Sequence, residues 1–272
     1  PAYANNKYAA IVVDANTGRT LYAEDADERR FPASLTKMMT LYVLFEELEA
    51  KRLTLGSRLS VSVNAARQAP SKLGVRAGTT IKVEDAILAL TTKSANDVAV
   101  VIAESVEGSV SAFAARMNRT ARALGMNSST FRNPHGLPDA EQTTTARDFV
   151  RLATGLQDRF PTYYKYFGAK SFTYKGRRNR NHNRLLGSVQ GVDGIKTGYT
   201  RASGFNLVTN VRRDGRHIIA VVMGGKTAAS RDAQMRQLIS KYLPQAKRGS
   251  RTADVVIADA VSSEGQEAAA PP

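Results

Sequence analysis

The stretch Gly191–Gly225, GVDGIKTGYTRASGFNLVTNVRRDGRHIIAVVMGG, predicts three consecutive β-strands and thereby decides the fold. The strands are GVDGIKTGYT, GFNLVTNVRR and RHIIAVVMGG, and the turn Arg213-Asp214-Gly215-Arg216 joins the last two as a hairpin. A helix, AASRDAQMRQLISKYL, follows and is expected to end at Pro244. Because strands joined by short turns run in opposite directions, this stretch predicts an antiparallel sheet.

Two further strands are predicted near the beginning of the chain. The segment KYAAIVVDANTGRTLYAEDAD, residues 7–27, reads as two strands around Asn16-Thr17-Gly18, where glycine adopts a positive φ at little cost. Between the two strand regions the pattern is helical, with apolar residues at three- and four-residue intervals. The expected fold class is therefore α/β (α+β), with a mostly antiparallel five-stranded sheet built from both chain ends, about residues 8–24 and 191–224.

Helices are expected to cover this sheet and to form an all-helical insertion at about residues 50–160. The predicted helical segments after the first are VEDAILALTTKSANDVAVVIAESV, SVSAFAARMNRTARALGM and TTTARDFVRLATGLQDRF. After Pro244 the composition becomes small and polar. We therefore expect one domain over residues 1–243 and a linker or disordered tail over 244–272.

Composition narrows the classes of function. The 272 residues include no cysteine, which excludes disulfides and thiolate metal sites, and the three histidines lack metal-ligand spacing, so no metal or cofactor is expected. The formal net charge of +15 fits a nucleic acid, an anionic cell surface or an anionic small substrate. The opening residues Pro1-Ala2-Tyr3-Ala4 match a signal-peptidase pattern, so export to the periplasm or another extracytoplasmic compartment is expected.

The first predicted helix carries a pair of residues suited to nucleophilic catalysis. In FPASLTKMMTLYVLFEELE, residues 31–49, Ser34 precedes Lys37 by three positions, so both face the same side of a helix. A serine needs a nearby base, and a lysine becomes one when burial or a second cation lowers its pKa. As a bare pattern, Ser-x-x-Lys is also compatible with an ordinary N-terminal serine and a surface lysine.

Two other short motifs strengthen the catalytic interpretation. Ser94-Ala95-Asn96 lies at a predicted junction of two helices, where a hydroxyl and an amide can point into one cleft. Lys196-Thr197-Gly198 lies on a predicted strand and supplies a positive charge, a hydroxyl and room for close approach of a substrate. Ser62-Val63-Asn64 repeats the second pattern, but nothing around it predicts a helix junction. The order of the three motifs is that of penicillin-binding proteins and class A β-lactamases.

The chain resembles the low-molecular-mass penicillin-binding proteins, in particular the serine-type D-alanyl-D-alanine carboxypeptidases. The resemblance extends from Tyr8 to about Leu243 and includes YAAIVVDANTGRTLY, ASLTKMMT, NPHGL, VDGIKTGYT and VVMGGKTAASR. It implies a catalytic domain that removes the terminal D-Ala from peptidoglycan stem pentapeptides through a serine acyl-enzyme, with β-lactam antibiotics as covalent inhibitors. Family members usually add a β-rich domain and a membrane-binding amphipathic helix; the residues after Pro244 show no amphipathic pattern, so membrane association is left open.

The resemblance also implies roles for individual residues. Ser34 would be the nucleophile and Lys37 its base, while Ser94 would pass a proton to the leaving amine and Asn96 would hold a substrate amide. On the substrate side, the implied residues are Lys196 for positive potential, Thr197 and Arg231 for the terminal carboxylate, Gly198 for close approach, and the backbone N–H groups of Ser34 and Tyr199 for the oxyanion. His135 would lie near the cleft or serve only as a turn residue.

Three other functions are compatible with parts of the sequence. A β-lactamase needs fast deacylation, yet no Glu-x-x-Leu-Asn segment occurs between Ser94 and Lys196. A non-catalytic cell-wall-binding protein would keep the fold without the reaction, although every motif residue is present. The basic and aromatic segment at residues 159–184 resembles single-strand nucleic-acid grooves. A solvated hairpin beside the cleft explains that segment as well, so no nucleic-acid partner is expected.

Overall fold

The predicted five-stranded sheet is present in the computed structural model, which describes residues 7–249. Numbered in chain order, its strands are β1 (Ala9–Asp14), β2 (Thr20–Glu24), β7 (Val192–Thr200), β8 (Gly204–Arg213) and β9 (Arg216–Gly225). The sheet order is β2-β1-β9-β8-β7, and every neighbouring pair is antiparallel. The first strand of the chain thus pairs with the last, so the sheet joins both chain ends.

Strand β1 is buried on both of its faces. It pairs with β9 from Ala9 opposite Met223 to Asp14 opposite Ile218. Because side chains alternate along a strand, Ile11 packs into the larger core under the helical body, whereas Val12 packs into a second core. That second core lies under the helix Ala228–Tyr242. Because both faces of β1 are covered, its apolar residues form a continuous run and do not alternate with polar ones.

Eight α-helices surround the sheet within the described residues. They are α1 (Lys37–Glu49), α2 (Val63–Ala66), α3 (Val83–Leu88), α4 (Asn96–Glu107), α5 (Val110–Ala123), α6 (Ala146–Arg159), α7 (Pro161–Tyr164) and α8 (Ala228–Tyr242). Helix α1 is buried on nearly every side, and only Glu46 and Glu49 escape full burial. It is therefore the central helix of the body, since a helix that is apolar all round must be enclosed.

The structure differs from the expected organisation in two places. The insertion is not wholly helical, because β3 (Arg58–Ser60) pairs with β4 (Thr80–Lys82). A second hairpin, β5 (Ser171–Tyr174) with β6 (Arg177–Arg180), follows the insertion.

The expected domain boundary at residue 243 is also too early. Ala246 is buried, the Lys247 N–H donates to Asp14 Oδ2 at 2.9 Å, and Arg248 bridges to Arg216. The chain therefore continues to pack on the sheet at least as far as Arg248. The rest of the predicted tail, residues 250–272, lies outside the described residues.

Within residues 7–249, no single helix is long and apolar enough to cross a membrane. Helices α4 and α5 meet that criterion only as a pair bent by 83°.

Candidate active site

Ser34 lies on a tight turn at the entrance to the central helix. A 3-10 turn, Ala33–Thr36, precedes α1, and Ala33 has a left-handed backbone with φ of +49°. A Cβ added to Gly136 would lie only 1.8 Å from the Ala33 carbonyl oxygen. The glycine of the NPHGL segment is therefore required for the close packing that holds this turn and fixes Ser34.

Lys37 is completely buried and makes three short polar contacts. Its Nζ lies 3.1 Å from Ser34 Oγ, 2.7 Å from Asn96 Oδ1 and 2.7 Å from the His135 carbonyl oxygen. A neutral amine has two hydrogens and one lone pair. When both hydrogens are donated to Asn96 and His135, the lone pair is left for the Ser34 hydroxyl, which is the arrangement that a base requires.

Electrostatics favour the neutral form of this lysine. Burial, followed by the positive charge of Lys196, holds the pKa of Lys37 well below its usual range, while Asp97 acts in the opposite direction. Burial and the Lys37 charge also lower the pKa of His135 to about 3, so that imidazole is neutral. His135 thus contributes its backbone carbonyl to Lys37, and its Nδ1 accepts the Leu137 N–H at 3.1 Å.

Ser94 lies at the junction between two helices, as its motif predicts. A π-helical segment, Ala89–Lys93, continues α3, and Ser94 then adopts a left-handed conformation with φ of +58° before α4 begins. Its Oγ is buried and has no hydrogen-bond partner within residues 7–249. A buried hydroxyl of this kind is costly unless a ligand or water satisfies it, which indicates a place for substrate.

Asn96 connects this junction to the neighbouring loop through hydrogen bonds. Its Oδ1 accepts from Lys37, its Nδ2 donates to the Ala69 carbonyl at 2.9 Å, and its backbone N–H donates to the Ser71 carbonyl at 2.8 Å. The side-chain amide is thus engaged at both ends inside the protein. Its first role in this structure is to position Lys37, and the predicted contact with a substrate amide stays a prediction.

Asp97, which the sequence did not single out, organises the loop beside the cleft. The carboxylate is buried and accepts the backbone N–H groups of Leu73 at 2.9 Å, Gly74 at 2.8 Å and Val75 at 3.2 Å. Three such bonds to one charged group hold a loop that has no regular structure of its own. The only signal in the sequence was an acidic residue in the first turn of a helix, where it is common.

The Lys196-Thr197-Gly198 motif lies on β7, the edge strand of the sheet. Lys196 is buried and donates to the Thr197 carbonyl at 2.9 Å; burial, with a contribution from Arg231, lowers its pKa to about 7. A Cβ on Gly198 would lie 2.9 Å from the Ser34 nitrogen. The glycine is therefore needed first for packing against the Ser34 turn, and not only for the approach of a substrate as the sequence predicted.

Tyr199 and Arg231 complete the predicted set. The Tyr199 side chain is exposed and stacks on Phe205, with ring centroids 4.1 Å apart, so its phenol lies at the mouth of the cleft. Arg231 is buried near the start of α8, and both its Nε and Nη2 donate to Asp232 Oδ1. Its Nη1 donates to the Asn206 carbonyl at 3.3 Å. These bonds hold the guanidinium in place at the cavity wall.

A cavity of about 740 Å³ brings these elements together. Seven of the nine predicted site residues line it: Ser34, Ser94, Asn96, Thr197, Gly198, Tyr199 and Arg231. Lys37 and Lys196 are buried behind this surface. The charged side chains of the lining are all arginines (Arg180, Arg184 and Arg231), and no carboxylate of the described residues lines it. The cavity is therefore suited to an anionic ligand.

The family model described as D-alanyl-D-alanine carboxypeptidase matches residues 3–227. The chain belongs to the D-alanyl-D-alanine carboxypeptidase family. It is 35% identical over 237 residues to D-alanyl-D-alanine carboxypeptidase DacA of Escherichia coli. The aligned region covers 85% of this chain and 59% of that protein. The chain thus spans about three fifths of the length of this curated relative.

Solved structures of a carboxypeptidase and of a penicillin-binding protein show the same fold. The D-alanyl-D-alanine carboxypeptidase DacD of Francisella tularensis superposes with a TM-score of 0.83 at 32% identity, covering 88% of this chain and 71% of that one. A penicillin-binding protein of Listeria monocytogenes, solved in an ampicillin-bound form, has a TM-score of 0.75 at 30% identity. That match covers 88% of this chain and 98% of the other. The expected family and fold class are therefore confirmed.

Some residues of this carboxypeptidase-family site had no recognisable motif. The His135 carbonyl is a backbone group, and Arg180, His182 and Arg184 come from the segment that resembled a nucleic-acid groove. The aromatic residues of that segment are mostly buried, namely Phe160, Tyr164, Tyr166, Phe167 and Phe172, and so are not free to stack on bases. Ser62, the first residue of the repeated pattern, caps α2 by accepting the Ala65 N–H and does not line the cavity.

Proposed function

We propose that this chain is a serine D-alanyl-D-alanine carboxypeptidase that removes the terminal D-Ala from peptidoglycan stem pentapeptides through an acyl-enzyme on Ser34. The observation that supports it most strongly is the buried Lys37 Nζ, 3.1 Å from Ser34 Oγ and held by Asn96 and His135. The proposed reaction uses no cofactor.

In the acylation step, Ser34 Oγ attacks the carbonyl carbon of the penultimate D-Ala while its proton passes to Lys37 Nζ. The oxyanion would be stabilised by the backbone N–H groups of Ser34 and Tyr199, which the packing of Gly198 on the Ser34 turn brings close. The C–N bond then breaks. The leaving D-Ala takes a proton from Lys37 through Ser94, whose Oγ has no other partner within residues 7–249.

In the deacylation step, water attacks the acyl-enzyme and Lys37 receives the proton of that water. The C–Oγ bond breaks, and Ser34 regains its hydrogen. Arg231 in the cavity wall and Lys196 behind it supply positive charge for the terminal carboxylate of the substrate. The Thr197 hydroxyl would donate a hydrogen bond to the same carboxylate. The lack of a lining carboxylate among the described residues supports slow deacylation, because a second base for water is missing.

This protein is also proposed to bind β-lactam antibiotics and to act outside the cytoplasm. β-Lactams are proposed to acylate Ser34 as covalent inhibitors, supported by the relative from Listeria solved with ampicillin. The protein is proposed to act in the periplasm or an equivalent compartment outside the cytoplasm, where its peptidoglycan substrate is found.

The experiment that tests this function follows intact protein mass and drug concentration after mixing with benzylpenicillin. We expect a persistent adduct of one drug mass on Ser34, no adduct in Ser34→Ala, and release of D-Ala from an acyl-D-Ala-D-Ala peptide by the unmodified protein. Rapid loss of drug without a lasting adduct would instead show a β-lactamase. Intact drug with no adduct and no peptide hydrolysis would leave a non-catalytic wall-binding protein.

A further inference from the structure

The hairpin β5–β6 and the residues on either side of it carry charge of one sign only. Residues 165–184 contain seven lysines and arginines and no aspartate or glutamate. All seven are exposed, and none forms an ion pair with a carboxylate of residues 7–249. Because like charges repel, a cluster of this kind opposes the compact state unless an anion offsets it. The hairpin is therefore a candidate surface for an anionic partner.

The outer face of the hairpin carries hydrogen-bond donors. Asn179 is buried, so it belongs to the inner face, and its neighbours Arg178 and Arg180 point the other way. Their cross-strand partners on this outer face are Thr173 and Ser171. The Arg178 Nε donates to Ser171 Oγ at 3.2 Å, which holds its guanidinium over the face. Two guanidinium groups and two hydroxyl groups on one face suit a carboxylate or a phosphate.

This outer face is continuous with the catalytic cavity. Arg180 belongs to both, and Arg184 also lines the cavity. Neither guanidinium has a hydrogen-bond partner within residues 7–249, whereas that of Arg231 is held by Asp232. One terminal carboxylate beside Arg231 thus leaves two guanidinium groups of the cavity wall unused, at the edge that leads to the hairpin.

The position of the hairpin relative to β7 indicates that its anion comes from a different peptide. In the proposed reaction the terminal carboxylate lies beside Thr197 and the cleaved carbonyl lies at the Tyr199 N–H, so the bound peptide runs along β7 away from its first residues. The hairpin approaches from the opposite end, where Gly168 packs on Asp193; a Cβ on that glycine would lie 3.1 Å from the Asp193 carbonyl oxygen. The hairpin therefore lies beyond the carboxylate end of the peptide being cleaved.

From this arrangement we infer that the outer face of β5–β6, with Lys175 at its tip, docks a second stem peptide of polymeric peptidoglycan through its carboxylate. Neighbouring stem peptides on the polymer each end in a carboxylate, and the surface begins where the cavity ends. Arg178 and Arg180 are about 7 Å apart along the strand, so both long side chains can reach one carboxylate. This inference rests on the proposed carboxypeptidase function and adds a polymer-binding surface to it.

A nucleic acid is the less favoured occupant of the same surface. Most aromatic side chains of this segment are buried, so the stacking platforms that single strands require are not offered. A phosphodiester polymer would still be attracted by the positive charge, and the test therefore includes one.

The test measures sedimentation of the protein with purified peptidoglycan, and with the same material after carbodiimide and ammonia have converted its carboxyl groups to amides. Ser34→Ala protein is used so that the polymer is not cleaved. Adding Lys175→Glu and Arg178→Glu, which do not line the cavity, should weaken binding to the unmodified polymer by about tenfold at low ionic strength. Binding to the amidated polymer should change by less than about twofold, because the contact depends on both partners.

A matched control separates this surface from general charge. Lys51→Glu with Arg119→Glu makes the same change in net charge at exposed side chains that do not line the cavity, and should leave both affinities unchanged. In protein that keeps Ser34, the hairpin variant should release D-Ala about tenfold more slowly from subsaturating polymer. Its kcat/KM for a soluble acyl-D-Ala-D-Ala peptide should stay within about twofold of the unmodified value, which also shows that the fold is intact.

Three results would overturn the inference. One is equal weakening of binding to the amidated polymer, and another is the same loss in the Lys51 and Arg119 control. The third is a loss confined to single-stranded poly(dT), the phosphodiester probe, because the surface would then bind a phosphate polymer and not a stem peptide. None of them affects the carboxypeptidase function, which fails instead if the soluble peptide releases no D-Ala and benzylpenicillin forms no adduct on Ser34.

Discussion

Gly198 on the edge strand lies so close to Ser34 that a methyl group on the glycine would sit 2.9 Å from the serine nitrogen. The same turn is held from β8, where the Asn206 amide donates to the carbonyls of Phe31 at 3.0 Å and Pro32 at 3.2 Å. The sheet edge and the nucleophile turn are thus one rigid unit. The backbone groups proposed to bind the oxyanion belong to the two sides of this contact.

Replacing Gly198 by alanine should therefore impair acylation without unfolding the protein. The added methyl group would push β7 away from the Ser34 turn, and we expect the benzylpenicillin acylation rate to fall by about a hundredfold or more, as on loss of an oxyanion donor. Gly56→Ala is the matched control, because its new Cβ would meet only Thr54 Oγ1 at 3.9 Å. Equal rates in the two variants would contradict the structural role of Gly198.

Replacing Lys37 by arginine should reduce acylation nearly as much as Ser34→Ala, by about a thousandfold or more. Arginine keeps the positive charge but does not lose its proton, so it cannot accept the proton of Ser34. Stopped-flow acylation with benzylpenicillin measures the effect, and Lys82→Arg, at an exposed position, is the control. A near-normal rate in Lys37→Arg would show that another group is the base.

The acid limb of the pH–rate profile should depend on Lys196. Acylation requires neutral Lys37, so its rate falls as pH is lowered through the depressed pKa of Lys37. The Lys196 charge is the second cause of that depression. In Lys196→Met the pKa of Lys37 should therefore rise and the acid limb should move to higher pH, whereas Lys196→Arg should leave it near its original position. An unmoved limb in the methionine variant would disprove the coupling.

Lys196 should also make stability depend on pH. Its folded pKa is about 7, below the ordinary value of 10.5, so between these values the unfolded chain binds more protons than the folded one. The free energy of unfolding should then increase with pH across this range. The cost of burying Lys196 should be greatest below about pH 7, where its side chain is charged. Urea unfolding between about pH 7.5 and pH 9.5 should give a slope smaller in Lys196→Met by about 1 kcal/mol per pH unit. Identical slopes would argue against a depressed pKa.

Asp97→Asn should destabilise the protein and slow acylation together. It removes the charge from a buried group that accepts from Leu73, Gly74 and Val75, and we expect a loss of about 3 kcal/mol in the free energy of unfolding. The loop also carries Ser71, which accepts the Asn96 N–H, so the lysine–asparagine contact should loosen. Asp214→Asn, in an exposed turn, should change neither quantity, and a similar loss there would show a nonspecific effect.

Much of the secondary structure could be predicted from the sequence because its signals are local. The turns at Asn16–Gly18 and Arg213–Arg216, and the strands on either side of them, follow from a few neighbouring residues. The pair β3 and β4 was missed because each strand is only three residues long, too short for a period to show. Packing of residues 244–249 was missed because it depends on distant partners such as Asp14.

The sequence by itself was enough to predict the members of the candidate site, because three motifs in a fixed order contain Ser34, Lys37, Ser94, Asn96 and Lys196. Only the tertiary structure decided how they act. Pairing of β1 with β9 closes the sheet, and packing of β7 on the Ser34 turn places groups more than 150 residues apart around one cavity. The burial that lowers the pKa of Lys37, and the His135 carbonyl that orients it, are properties of that packing. Residue type specifies neither the position of a backbone carbonyl nor the dielectric environment of a side chain, so only the folded chain could show them.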